Sequence, residues 1–222
     1  MGLFGIAAAP VLALLFWFYH KDKYHKEPLH MLFFAFLGGC FSVIPTLIIG
    51  ALWQNAGFKQ EGSNLYLAFY AFIVVALTEE SCKYLFVRRI MRKSYVDEPY
   101  DAIIYCVMVS MGFAFVENLL YVFQEGFNVG VLRAFTAIPA HATFATIMGY
   151  YLGRAKFFGN NFLNTLAGIA GAVIMHGLYD YFLFIKNIPL IQLGAFVSLI
   201  VGIRFSKIAI RIHNENSPFN PA

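Results

Sequence analysis

Residues Asn64–Val87 read NLYLAFYAFIVVALTEESCKYLFV, and this stretch decides the class of the whole chain. From Leu65 to Leu77 every residue is aliphatic or aromatic; Glu79, Glu80 and Lys83 then follow within two turns. A hydrocarbon core about 30 Å thick takes about 20 residues of helix, so the segment is long enough to cross a membrane. It nevertheless carries three ionisable groups. The rest of the chain agrees with the first half of that reading. Of 222 residues, 60% are apolar or aromatic and 13% charged, against about 45–50% and about 25% in an average soluble domain. Too few polar residues remain to cover a water-facing surface, which excludes a soluble enzyme, a disordered chain and a coiled coil.

Scanning outward with the same ruler predicts an all-α, polytopic bundle of about seven spans in a single domain, 1–222. The predicted spans are Leu3–Tyr19, Leu29–Trp53, Asn64–Val87, Tyr100–Phe123, Arg133–Gly153, Asn161–Ile185 and Ile188–Phe205. The breaks carry turn chemistry: KDKYHKEP, QNAGFKQEGS, RRIMRKSYVDEP, QEGFNVG, RAKFFGNN and KNIP. Counted near span ends, Lys and Arg gather on one side, in the groups Lys21 to Lys26, Arg88 to Lys93, Arg154 to Lys156 and Arg204 to Arg211. Lys59, Arg133 and Lys186 fall on the other. The positive-inside rule then puts the C-terminus in the cytoplasm and the N-terminus outside. The first span lacks a basic start and an A-x-A cleavage pattern, and reads as a retained helix. A net charge of +4, dispersed as it is, does not suggest nucleic acid. Cys40, Cys82 and Cys106 lie in apolar runs without CxxC spacing, so neither a disulfide nor a thiolate zinc site is expected.

Ionisable groups at membrane depth cost about 2.5–3.5 kcal/mol each on the insertion scale and persist where they face a cavity or a partner. Four neighbouring spans hold them: Glu79, Glu80 and Lys83; Glu117 and Asn118; His141; His176 and Asp180. Glu79 and Lys83 are spaced i,i+4, Glu80 and Lys83 i,i+3, and His176 and Asp180 i,i+4, so each set shares a helical face. Bland readings stand beside these. His141, after Pro139, suits a helix cap; Lys83 suits snorkelling to the cytoplasmic side; His176 with Asp180 suits a buried structural pair. Two adjacent carboxylates have no packing use. Gly149 and Gly153, in GYYLG, read as a helix-packing GxxxG. Depth reckoned at about 1.5 Å per residue puts Glu117, His141 and His176 about 4–8 Å toward the outer side and the Glu pair about 4–6 Å toward the inner side. A shifted boundary or a tilt of the third span is needed to close that gap.

In order along the chain the motifs are EExxK (Glu79–Lys83), FxxxEN (Phe113–Asn118) and HxxxD (His176–Asp180). Together with KDKYHKEPLHML, YDAIIYCVMVSMGFA and HATFATIMGYYLG they make the chain resemble the PrsW family of intramembrane proteases over essentially its whole length. That family is distantly related to the CAAX prenyl endopeptidases and Abi proteins. The resemblance implies a multi-pass protein of the bacterial cell membrane that cuts a single-pass membrane protein, with anti-sigma factors as the known substrate class. It also implies that Glu79, Glu80 and His176 are essential, with Lys83, Glu117, Asn118, His141 and Asp180 around them.

The residues themselves limit the chemistry. HExxH, GxSG and GxGD are absent, which leaves water as the nucleophile, one of the Glu pair as general base, and His176, oriented by Asp180, to polarise the carbonyl or protonate the leaving nitrogen. His141 or Asn118 offers a further donor. The same residues suit Zn²⁺, but Lys83 on the same stripe repels a cation, so a metal-free mechanism is favoured. A proton or cation transporter also strings Glu, His and Asp through its spans, though no inverted repeat is visible; a non-catalytic binding protein is expected to have lost an acid or histidine, and none is missing. Since three of the four site-bearing spans hold their polar groups toward the outer half, the cut is expected near the outer end of the substrate's span.

Overall fold

The computed structural model describes residues 2–185 and 189–221. Among the described residues nine α-helices and one π-helical segment follow in order: α1 (Gly2–Lys21), α2 (Leu29–Asn55), α3 (Asn64–Phe69), the π segment (Tyr70–Leu77), α4 (Thr78–Ile90), α5 (Pro99–Glu125), α6 (Phe127–Phe135), α7 (Ala137–Phe157), α8 (Asn161–Phe184) and α9 (Pro189–Glu215). No strand occurs among the described residues. Taken with their continuations, these make seven units long and apolar enough to cross a membrane. The seven predicted spans are therefore present in order. Lys186 to Ile188, which include most of the KNIP break and the predicted start of the last span, lie outside the described residues.

Two predicted boundaries are corrected. QEGFNVG is not an open connection: the chain breaks only at Gly126, whose φ of 91° suits glycine, and α6 starts at the next residue. No proline or further glycine pair interrupts Phe127–Phe135, so hydrogen bonding resumes at once. The fifth unit thus runs Phe127–Phe157, with a bend at Thr136. The third span is not a uniform α-helix either. Its middle is π-helical, with bonds closing i to i+5; the wider turn shortens the rise per residue and re-aims everything after it, beginning with Glu79 and Glu80. Its α-helical continuation to Ile90 also moves the midpoint of the span toward the Glu pair. Both changes act in the direction needed to close the depth gap.

The central element is α5, buried continuously from Pro99 to Ala114. Helices approach it where side chains vanish. A Cβ at Gly39 of α2 would lie 1.9 Å from the Val109 carbonyl oxygen, and one at Gly112 2.0 Å from that of Phe36, so the α2–α5 crossing is set by backbone contact. The predicted GYYLG motif works in the same way. Gly149 abuts Ala102 and Ile103, and Gly153 abuts Pro99 and the His213 ring. The opposite faces of the peripheral helices expose large apolar side chains such as Phe16, Leu65 and Phe162, the expected surface toward lipid tails. The basic connections meet one another: Lys156 Nζ reaches the Met91 and Lys93 carbonyl oxygens, His25 faces Asp97, and Asn214 reaches the Lys21 carbonyl oxygen, so they gather at one end of the bundle, hereafter the basic end.

Candidate active site

The ionisable residues of four units converge between α4, α5, α7 and α8. Lys83 does not snorkel. Its side chain is buried, with Nζ 2.7 Å from Glu80 Oε1, 3.4 Å from Glu79 Oε2 and 3.3 Å from His141 Nδ1. The ammonium also lies over the Phe113 ring, 4.1 Å from its centroid. A lysine that accepts from no one and donates to three residues acts as the electrostatic hub of the cluster.

His141 is likewise no helix cap. Nε2 faces Glu117 Oε2 at 2.9 Å while Nδ1 faces the ammonium. Since the carboxylate only accepts and the ammonium only donates, these partners assign the proton to Nε2. His176 stands between carboxylates: Nδ1 is 2.9 Å from Glu80 Oε1, and Nε2 is 3.3 Å from Asp180 Oδ2 and 3.9 Å from Glu79 Oε2. Its ring stacks on Phe144 at 4.8 Å, with 15° between the planes, and meets His141 edge-on at 5.4 Å. The i,i+4 relation of His176 and Asp180 is therefore used as the spacing predicts.

The two adjacent glutamates differ. Glu79 lines two neighbouring cavities, of about 520 and 630 Å³, whose shared wall also includes Tyr70, Glu117 and Tyr121. Glu80 lines neither; it is 1% exposed and held by Lys83 and His176. The larger cavity extends past Asp180 to Gln60, Val129 and Leu132, toward the end of the bundle opposite the basic end. The smaller one lies between α2 and the π segment, lined by Val43, Leu47, Gly50 and Val74 among others.

Two expectations change here. Asn118 reaches the Ala7 carbonyl oxygen with its amide nitrogen and accepts from Arg133 Nε, and it lines neither cavity. Arg133, read from sequence as a topology charge, instead enters the cluster: its guanidinium donates to Glu117 Oε2 at 2.6 Å and to Asn118 Oδ1 at 3.0 Å, and covers the Tyr121 ring. The signal that could have found it is an arginine at the mouth of an apolar span, one helical break before His141. Its pairing with a carboxylate sixteen residues earlier is a tertiary fact.

Glu79, Glu80, His141 and His176 each offer a ligand atom, all within 4.8 Å of one another, and the donor types suit Zn²⁺. Lys83 Nζ, within 3.4 Å of three of these residues, now fills the space among them. Bound ion and ammonium repel each other, so an ion would require Lys83 to withdraw.

Comparison with known proteins gives one consistent result. Residues 27–205 match the family described as PrsW family intramembrane metalloprotease. Among similar curated proteins, Protease PrsW of Clostridioides difficile (strain 630) is 32% identical over 229 residues, covering 99% of this chain and 95% of that protein. Protease PrsW of Geobacillus kaustophilus is 37% identical, covering 83% and 81%, and that of Bacillus subtilis 34%, covering 79% and 79%. No solved structure matches. With seven membrane-crossing units around a buried Glu–Lys–His cluster, and with this match along most of its length, the chain belongs to the PrsW family of intramembrane proteases, as a multi-pass protein of a bacterial membrane.

Proposed function

We propose that the protein hydrolyses a peptide bond of a single-pass membrane protein by water activated at Glu79. The observation that carries this reading is the asymmetry of the glutamate pair: Glu79 opens on both cavities, whereas Glu80 is engaged by Lys83 and His176. A base has to touch water and substrate; a positioning residue does not. Glu80 in this reading holds Lys83 and His176 in place. His176, with Nε2 toward Asp180 and Glu79, is set to carry a proton to the departing nitrogen as the C–N bond breaks. Arg133 and the Nε2–H of His141 fix Glu117 on the cavity wall.

Metal-free hydrolysis is the form this arrangement supports, because the chain's own cation sits among the would-be ligands. If a divalent ion takes that place, Glu79, Glu80, His141 and His176 would hold it, and it would supply Lewis acidity and a more acidic bound water.

The substrate class implied by the family resemblance is an anti-sigma factor. With the basic end in the cytoplasm, the larger cavity opens outward past Gln60 and Val129, which supports a first cut at or just outside the outer end of the substrate's span. There the substrate backbone can leave its own helical hydrogen bonds. Co-expression with a panel of single-pass proteins tests the activity: truncation should appear with the wild-type chain and vanish with Glu79→Gln. Mass spectrometry of the fragments locates the cut. A break near the cytoplasmic end of the substrate's span would overturn the proposed orientation.

A further inference from the structure

A second acidic cluster lies at the basic end, where α1 exits, α5 begins and α9 ends. Asp22, Glu98 and Asp101 are each no more than 1% exposed and offer ligand oxygens all within 4.8 Å of one another. Asp101 Oδ2 accepts the backbone N–H groups of Asp97 and Glu98, Asp22 Oδ2 accepts that of Glu27, and Ser217 donates its hydroxyl to Glu98. Glu27, bonded by the Tyr105 hydroxyl, adds a fourth buried carboxyl nearby. Among the described residues no Lys, Arg or His lies within ion-pair distance of any of the four.

An independent observation points to something held here. Asp22 Oδ1, Glu98 Oε1 and Asp101 Oδ1 are buried without a hydrogen-bond partner, as are Asn214 Oδ1 and His213 Nε2. These are all the buried partnerless side-chain atoms among the described residues, and the four oxygens belong to this one junction, where Asn214 donates to the Lys21 carbonyl oxygen, next to Asp22; His213, bonded at Nδ1 to the Pro99 carbonyl oxygen, stands beside it with Nε2 turned toward Tyr150. Buried polar atoms left without partners ordinarily signal a missing ligand or water. Four of the five are oxygens, three of them from carboxylates.

We infer that Asp22, Glu98 and Asp101 form a binding site for a hard divalent cation of the Mg²⁺ or Ca²⁺ class, separate from the catalytic cluster. Such ions take oxygen ligands at about 2.0–2.6 Å, and three carboxylate oxygens within 4.8 Å of one another are close enough to reach one ion together. Asp101 and Glu117 are sixteen residues apart on α5, about 24 Å along the helix, so the two sites do not share an ion. A bound cation would tie the end of α1, the start of α5 and the segment after α9 together on the side of the bundle away from the cavities.

The test uses the full chain in lipid nanodiscs, stripped with chelator and titrated with Mn²⁺ while electron paramagnetic resonance counts bound ions. One Mn²⁺ per chain is expected, displaced by Mg²⁺ or Ca²⁺ and accompanied by a raised thermal midpoint. It should persist in the Glu80→Gln/His176→Ala double variant and disappear in Asp22→Asn/Asp101→Asn. Glu98→Gln, which keeps size and the Ser217 contact, serves where the Asp double variant does not fold, and should weaken binding at least tenfold. No bound Mn²⁺ in the Glu80→Gln/His176→Ala variant, or undiminished binding in Glu98→Gln and the Asp variant, overturns the inference.

Discussion

Two acidic clusters in one small bundle are solved in opposite ways. Between α4, α5, α7 and α8 each carboxylate meets a cation or an imidazole: Glu79 and Glu80 have Lys83 and His176, Glu117 has Arg133 and His141, and Asp180 has His176. At the basic end Asp22, Glu27, Glu98 and Asp101 meet backbone N–H groups, hydroxyls and one another but no cation, and three of their buried oxygens have no donor. In the first cluster every carboxylate has a cationic or imidazole partner, and the cluster borders two cavities. The second is unbalanced and closed. A buried charge must be paired or bound to a metal, and the contrast teaches that proximity of carboxylates says little until their partners are known: one group is arranged to act on a substrate, the other to be completed by a ligand.

The largest effect should come from the catalytic cluster itself. Glu79→Gln keeps the shape and removes the base, so cleavage in the co-expression assay should fall by about 10²–10⁴-fold, with the thermal midpoint little changed. His176→Ala should be as severe, and Asp180→Asn milder. Full activity in Glu79→Gln would remove the general-base assignment. Glu80→Gln sharpens the comparison, because it unbalances a cluster that is otherwise paired: breaking a buried pair costs about 3–5 kcal/mol, so both activity and thermal midpoint should drop. A loss of activity without loss of stability would exchange the roles of the two glutamates.

Next comes the cation in the centre. Elemental analysis of purified protein, followed by chelator challenge in the cleavage assay, should leave activity intact; stoichiometric zinc whose removal abolishes cleavage would mean that Lys83 withdraws and that both clusters are completed by ions. Arg133→Ala should cost less, roughly tenfold in cleavage rate, the order expected for a lost hydrogen bond to a charged group. An unchanged rate would reduce Arg133 to packing. Least affected should be Asp97→Asn at the basic end. Its bridge to His25 is exposed and 3.1 Å long, and such pairs contribute about 0–1 kcal/mol; a midpoint shift as large as that of Glu98→Gln would show that the surface bridge, not the buried cluster, organises this end.

Much of this was legible along the chain, and the exceptions have identifiable causes. The spans follow from apolar run length, because lipid excludes any backbone that is not internally bonded. Glu79, Glu80, His141 and His176 stand out because ionisable groups are expensive in those runs. Arg133 was misread because position alone does not distinguish a charge at a span end that faces water from one that turns inward. The second cluster has a related cause: Asp22, Glu27 and Glu98 sit in connections and Asp101 at the very start of the fourth span, where charge is ordinary, and only tertiary contacts, such as those of Tyr105 with Glu27 and Ser217 with Glu98, bring them together out of water.

Composition, run length and three ordered motifs by themselves determined a seven-span bundle and the residues with no bland reason to be there, since each depends on the local transfer cost of a residue and its near neighbours. Tertiary structure alone decided which of two adjacent glutamates faces the cavity, that Lys83 points inward, and that Arg133 joins Glu117. Those choices depend on how the π segment re-aims α4 and on how closely Gly39 and Gly112 let two backbones approach, and such geometry arises only when distant segments pack against one another.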